Sequence, residues 1–142
     1  MSYQTLTLEK DNHVATITLN RPEMMNAFSE QLIWDMGEAT KAVKNDSQIR
    51  ILVITGEGRG FTAGADLSER DASWTDTKDA LERGYYPFIK NIIDMPKPVI
   101  GSINGAAAGI GAAVAMACDL RIMAKEAYIM SVFSNIALVP DG

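Results

Sequence analysis

The 142-residue sequence has few residues that could bind a metal ion or form a crosslink. It contains one cysteine, Cys118, and one histidine, His13. The single cysteine excludes a disulfide framework and a cysteine zinc cluster. The single histidine argues strongly against a Ser-His-Asp triad or an imidazole metal site. We expect a chain without a metal ion, in a compartment that keeps Cys118 reduced, by default the cytoplasm.

Positive charge is also scarce. Lys and Arg number 13 against 18 Asp and Glu, which gives a net charge of −5 and no basic run. This balance argues against a nucleic-acid partner. Residues Met1–Thr5 have neither a basic segment nor an apolar core, so no secretory signal is expected. The composition, 47% hydrophobic and 22% charged, is typical of one globular domain.

Residues 98–118 carry no charged side chain, which raises the possibility of a membrane span. In addition, Gly101, Gly105 and Gly109 are spaced four residues apart, as in a dimerisation motif of membrane helices. However, much of the run is alanine and glycine, and Asn104 lies within it. These features favour a buried strand, turn and helix, and we expect no membrane association.

The hydrophobic pattern predicts alternating strands and helices, hence an α/β fold. Residues 6–10 and 14–19 alternate as in a hairpin, and Ser29 is a plausible N-cap for a helix that runs to about Lys44. Ile49–Thr55 reads as a strand covered on both faces. A helix from about Thr75 to Asp94 follows a glycine-rich loop. Its predicted inward residues are Ala80, Leu81, Phe88, Ile89, Ile92 and Ile93. Further on, the pattern predicts a strand at 99–103, a helix at 109–117, and strands at 120–124 and 128–130.

Two glycine-rich turns that each open toward a helix are candidate binding elements. The first is Ala63–Asp66 and the second is Asn104–Gly111. Neither is a nucleotide motif, because Val114 stands where a dinucleotide fingerprint needs glycine, and Gly60 and Gly64 lack the Lys-Ser/Thr ending of a phosphate loop. Small residues and helix N-termini can present free N–H groups, so two converging turns could form an oxyanion hole. The alternative is that both are merely tight turns under close packing.

Four blocks in order resemble the enoyl-CoA hydratase/isomerase (crotonase) superfamily. They are Asn20-Arg21-Pro22 with Asn26-Ala27, Phe61 to Leu67, Pro96 to Ile100, and Asn104-Gly105 through Cys118-Asp119-Leu120. The resemblance covers residues 3–142, whereas family members run well beyond this length. It implies that residues 1–142 form a single crotonase-like ββα spiral core, truncated before the C-terminal helices that complete the site and the trimer. At full length a homotrimer or hexamer is expected.

The same resemblance implies which residues bind an acyl-CoA thioester. The thioester oxygen would be held by the backbone N–H groups of Ala65 and Ile110. The CoA and pantetheine path would be lined by Met25, Ala27, Ala63, Asp66 and Leu67. Ile110 replaces the glycine or alanine often found there, and its branched side chain would narrow the acyl pocket. CoA is part of the substrate, so no separate cofactor is expected.

The resemblance also implies which reaction the chain performs. Hydratases of this family use two glutamates, and the matching positions here are Ala113 and Phe133, which cannot transfer a proton. Asp141 instead matches the single acid of the enoyl-CoA isomerases, including the ring-opening type of phenylacetate degradation. One carboxylate suffices for a 1,3-shift, because it removes a proton at one carbon and returns it two carbons along. The alternative for Asp141 is a β-turn, where Pro-Asp-Gly is common.

The resemblance therefore implies an enoyl-CoA isomerase of fatty acid metabolism that acts through an enolate, with Asp141 as acid and base. One alternative is another crotonase reaction, namely hydration, dienoyl isomerisation or dehalogenation. The other is a non-catalytic acyl-CoA-binding protein.

Overall fold

The computed structural model describes residues 3–69 and 73–136. It opens with the predicted hairpin, in which β1 (Leu6–Asp11) pairs antiparallel with β2 (Val14–Leu19). Asn12 and His13 make the turn between them with positive φ angles of 44° and 70°. Asparagine and histidine tolerate this left-handed region better than most residues, which explains why the hairpin turns there.

The hairpin forms the edge of a five-stranded sheet with the order β1-β2-β3-β4-β6. From β2 onward neighbouring strands are parallel. A second, two-stranded parallel sheet pairs β5 with β7. The remaining strands are β3 (Ile51–Gly56), β4 (Val99–Ile103), β5 (Ala106–Ala108), β6 (Leu120–Met123) and β7 (Tyr128–Met130). Alternation of strands and helices with a parallel sheet agrees with the predicted α/β class.

Helix α1 (Glu30–Asn45) begins where the sequence predicts it. Ser29 is its N-cap, and the hydroxyl of Ser29 accepts a hydrogen bond from the N–H of Leu32 at 3.2 Å. The other helices are α2 (Thr77–Asp79), a π-helical turn (Ala80–Tyr85), α3 (Tyr86–Ile93), α4 (Ile110–Ala117), and 3₁₀ turns at Pro22–Met24 and Phe133–Ile136. The predicted helix over 75–94 thus exists, with a π-helical turn inside it.

The hydrophobic core lies between the sheet and the pair α1 and α3. The rings of Phe28 and Phe88 stack there with centroids 5.5 Å apart. On β3, Leu52 and Ile54 are fully buried, while the alternate residues Ile51 and Val53 are only half-buried. The prediction that both faces of this strand are buried is therefore confirmed for one face only.

The uncharged run 98–118 is divided among β4, β5 and α4, so it is not one continuous helix. Val99–Ile103 lies in the sheet and Gly109 is the N-cap of α4, as expected for a buried strand, turn and helix. The short strand β5 between them was not predicted. Across residues 3–69 and 73–136, no helix combines the length and hydrophobicity needed to cross a membrane.

Candidate functional site

The main-chain N–H of Ala65 is the first candidate donor. On either side of it the loop is fixed, because the N–H of Ala63 donates to the carbonyl of Met25 at 2.9 Å and the N–H of Asp66 donates to the carbonyl of Phe28 at 3.0 Å. Within the part of the chain that the structure describes, the N–H of Ala65 has no hydrogen-bond partner. The loop is therefore held by its other amides, and this one is available to a ligand.

The main-chain N–H of Ile110 is the second candidate donor. Ile110 is the first residue of α4, where an N–H has no partner inside the helix. The preceding Gly109 is anchored through its N–H to the carbonyl of Met130 at 3.1 Å. Among residues 3–69 and 73–136, nothing accepts a hydrogen bond from the N–H of Ile110. The positive end of the helix dipole adds to the attraction of this N–H for a negative oxygen.

Each of these donors directly follows a glycine with positive φ, 100° at Gly64 and 55° at Gly109. A Cβ on Gly64 would lie 2.9 Å from the carbonyl oxygen of Ala108, and a Cβ on Gly109 would lie 3.9 Å from the Cα of Gly64. The two segments therefore approach each other backbone to backbone. Position 64 therefore requires glycine, both because its φ angle is positive and because a Cβ there would have no room.

Ala65 and Ile110 line the same cavity, whose volume is about 300 Å³. Its lining is almost entirely apolar, with Thr77 and Tyr85 as its hydroxyl-bearing side chains. The lining residues are Ala63, Gly64, Ala65, Leu67, Thr77, Ala80, Leu81, Tyr85, Gly109, Ile110, Val132 and Phe133. A concave apolar site with a few main-chain donors can hold a carbonyl compound and polarise its oxygen.

The structure separates the five residues predicted to line the CoA path. Ala63 and Leu67 line the cavity that contains the two donors. Met25 lines a second cavity, of about 360 Å³, together with Arg59. Ala27 is buried, and its carbonyl accepts a hydrogen bond from the guanidinium of Arg21 at 2.6 Å.

Asp66, the fifth of these residues, is not among the residues that line the cavity with the two donors. Its carboxylate accepts from the hydroxyl of Ser68 at 2.6 Å and pairs with the guanidinium of Arg21 at 3.0 Å. The hydrogen bonds from Ser68, together with the nearby Arg21, hold the pKa of Asp66 below its usual range. Among the described residues, Asp66 thus fixes the loop that carries Ala65.

Two asparagines that the sequence left without a role hold the turn after β3. The side-chain amides of Asn26 and Asn104 both donate to the carbonyl of Gly60, at 2.9 and 3.2 Å. The side-chain oxygen of Asn104 also accepts from the N–H of Gly56. Both asparagines belong to the blocks that carry the family resemblance, which was the signal available in the sequence.

The residues predicted to decide the reaction are only partly described. Phe133 lines the cavity. Ala113 lies in α4, one turn after Ile110, and packs against the core. Asp141 lies outside the described residues. Within those residues, no group of three His, Cys, Asp or Glu side chains is placed to hold a metal ion.

Comparison with known proteins finds relatives that are named for reactions of CoA thioesters. The chain is 42% identical, over 90% of its length, to 1,2-epoxyphenylacetyl-CoA isomerase of Escherichia coli K12, of which it covers 50%. It is 37% identical, over 89% of its length, to crotonyl-CoA hydratase of Syntrophomonas wolfei, of which it covers 49%. It thus spans about half the length of the curated relatives that it matches.

Comparison with solved structures shows the fold of the chain. An enoyl-CoA hydratase/carnithine racemase from Magnetospirillum magneticum superposes with a TM-score of 0.90 at 28% identity. That match covers 99% of this chain and 54% of the other, which confirms the predicted crotonase-like fold of an N-terminal part. The sequence pattern described as enoyl-CoA hydratase/isomerase matches residues 9–142. The chain therefore belongs to the enoyl-CoA hydratase/isomerase family.

Proposed function

We propose that the protein of which this chain is a part is an enoyl-CoA isomerase acting on an acyl-CoA thioester. The observation that carries the proposal is that Ala65 and Ile110 line one cavity and that the main-chain N–H of each has no partner within the described residues. Two such donors can stabilise the negative oxygen of an enolate, and each is typically worth about 10²–10³ in rate.

The proposed reaction moves a double bond by one carbon. A base removes a proton from the carbon between the thioester and the double bond of a 3-enoyl-CoA. The resulting dienolate carries its charge on the thioester oxygen, which Ala65 and Ile110 would hold. Return of the proton two carbons along gives the 2-enoyl-CoA, so atoms and charge balance. CoA enters as part of the substrate, and these proton transfers call for no metal or redox cofactor.

Asp141 is the group we propose for both proton transfers, because it matches the single acid of the isomerases. The competing activity is hydration, which the similarity to crotonyl-CoA hydratase supports. Ala113 and Phe133 argue against hydration. They occupy the positions that match the two water-activating glutamates of the hydratases, and neither side chain can transfer a proton.

Two assays with the full-length protein test the proposal. The first follows conversion of a 3-enoyl-CoA into the 2-enoyl-CoA, and the second follows addition of water to a 2-enoyl-CoA. We expect isomerisation to exceed hydration. Dominant hydration would contradict the isomerase assignment, and binding of the thioester without either reaction would favour a non-catalytic acyl-CoA-binding protein.

An Asp141→Asn variant tests the proposed base. The amide keeps the size of the side chain but cannot accept the proton, so binding should persist while turnover falls by about 10²–10⁴. Asp94→Asn is the matched control, because Asp94 is exposed on the surface and pairs with Lys90. Near-normal turnover in Asp141→Asn would remove Asp141 from the mechanism.

A further inference from the structure

One wall of the cavity is the π-helical turn Ala80–Tyr85. The N–H of Tyr86 donates to the carbonyl of Leu81, five residues earlier, which is the hydrogen bond of a π-helix. Turns of this kind are rare and are found frequently at functional sites. Here the turn supplies Ala80, Leu81 and Tyr85 to the lining of the cavity.

Gly84 fixes this turn against α1. A Cβ on Gly84 would lie 3.0 Å from the ring of Trp74 and 3.2 Å from Cγ2 of Ile33. A Cβ at this position would therefore force the turn or these side chains to shift by a few tenths of an ångström. The position of Tyr85, which follows directly, is therefore set by packing on the far side of the turn.

The ring of Tyr85 is itself held by two other rings. Its centroid lies 6.2 Å from that of Phe28 and 6.2 Å from that of Phe88, and each pair is inclined by 60°. Phe28 and Phe88 are buried and stack on each other. Inclined ring contacts of this kind are favourable, so they fix the orientation of the Tyr85 ring beside the cavity.

The rest of the lining suits an aromatic ring as well. Phe133 supplies a second aromatic side chain, and Leu67, Leu81 and Val132 supply aliphatic ones. The volume of about 300 Å³ exceeds the roughly 150 Å³ of an apolar cavity that holds benzene. The cavity therefore has room for a ring and for part of the arm that joins it to the thioester.

We propose, resting on the acyl-CoA isomerase function above, that this cavity selects acyl groups that end in an aromatic ring, and that Tyr85 determines the selectivity. A substrate ring gains contact with the face or edge of Tyr85 that a linear chain cannot match. Because Tyr85 is already held in place, little side-chain freedom is lost on binding.

The test compares two substrates in the full-length protein. 5-Phenyl-3-pentenoyl-CoA carries the ring, and 3-hexenoyl-CoA is linear. The ratio of their kcat/KM values should favour the aromatic substrate in the unmodified protein. Tyr85→Leu should lower this ratio by about 10-fold, whereas Tyr85→Phe should keep it within about 3-fold, since only the loss of the ring removes the contact.

Two further variants complete the design. Tyr86→Leu is the matched control, because Tyr86 is the next residue, is 60% exposed and is absent from the cavity lining. It should leave the ratio unchanged. Phe133→Leu removes the other ring and should lower the ratio even where Tyr85→Leu fails to fold. A ratio that stays constant in a folded Tyr85→Leu, a ratio that stays constant in Phe133→Leu where Tyr85→Leu does not fold, or an unmodified protein that prefers the linear substrate would each overturn the proposal.

Binding of saturated analogues separates this proposal from the proposed reaction. Calorimetry with 5-phenylpentanoyl-CoA and hexanoyl-CoA needs no turnover. Tighter binding of the aromatic analogue that is lost in Tyr85→Leu would support the selectivity, whether or not the substrates are isomerised. Failure to isomerise either substrate would contradict only the isomerase assignment. Equal binding of both analogues would overturn the selectivity while leaving the isomerase assignment to its own assay.

Discussion

The guanidinium of Arg21 lies 3.0 Å from the carboxylate of Asp66, and both side chains are largely buried, at 17% and 3% exposed. The same guanidinium donates to the carbonyl of Ala27 at 2.6 Å. Arg21 therefore ties the segment that follows the hairpin to the loop that carries Ala65. The position of a candidate donor depends in this way on an ion pair between residues 45 apart in sequence.

Replacing Arg21 with methionine should destabilise the fold and weaken acyl-CoA binding. The substitution leaves the carboxylate of Asp66 without its charged partner in a mostly buried place, and hydrogen bonds to charged groups are worth about 1.5–3 kcal/mol. We expect the free energy of unfolding at neutral pH to fall by about that amount. Chemical denaturation measures the loss, and titration with an acyl-CoA measures the effect on binding.

Arg50→Met is the control for Arg21→Met, because Arg50 is an exposed arginine away from the cavity lining. It should change the free energy of unfolding by less than about 0.5 kcal/mol. Equal stabilities of the Arg21 and Arg50 variants would show that the buried ion pair contributes nothing.

Asp66 should make stability depend on pH in the acid range. Its pKa in the folded state is lowered, by hydrogen bonds from Ser68 and by Arg21, relative to the usual value of about 4 in the unfolded chain. Its contribution is therefore fully present above about pH 4 and is lost as the pH falls toward the folded pKa. Denaturation curves of the unmodified protein and Asp66→Asn should differ most at neutral pH and converge in acid. A difference that grows in acid would contradict the assigned direction.

Gly64→Ala should disrupt the candidate site. The φ of 100° disfavours any residue with a Cβ, and that Cβ would lie 2.9 Å from the carbonyl oxygen of Ala108. Strain of this kind costs about 1–3 kcal/mol, and relief of it would separate the two donor segments. We expect lower stability together with loss of acyl-CoA affinity, measured by denaturation and calorimetry.

Gly37→Ala provides the matched comparison for Gly64→Ala. Gly37 lies inside α1, and nothing lies within 4 Å of the Cβ position. Alanine there should stabilise the protein by about 0.5–1 kcal/mol and leave affinity unchanged. If Gly64→Ala behaved like Gly37→Ala, the close approach of the two segments would not matter for binding.

Elements with strong local signals could be predicted from the sequence. The alternation of apolar residues marked the hairpin, and Ser29 marked the start of α1, because capping and periodicity are properties of neighbouring residues. The family resemblance, rather than any local pattern, supplied Ala65 and Ile110. That these two residues line one cavity depends on β3 and β4 lying side by side.

Features that depend on distant contacts could not be predicted. Ala106–Ala108 has no strand pattern of its own and becomes β5 by pairing with β7. Within the π-helical turn, Gly84 packs against Trp74 and Ile33, contacts that no local pattern shows. Ile93, expected to point inward, is 65% exposed, because it follows the buried Ile92 and so lies about 100° around the helix from it. Periodicity shows which residues are apolar, but not which face a neighbour covers.

Infrared spectroscopy of a bound thioester would test directly whether Ala65 and Ile110 hold the substrate oxygen. The full-length protein would be mixed with an acyl-CoA whose carbonyl carbon is isotope-labelled, so that its stretching band is distinguished from those of the protein. Two N–H donors at the oxygen should weaken the C=O bond and move the band to lower frequency than in water. A bound thioester whose carbonyl band stays at its frequency in water would contradict this role of the two residues.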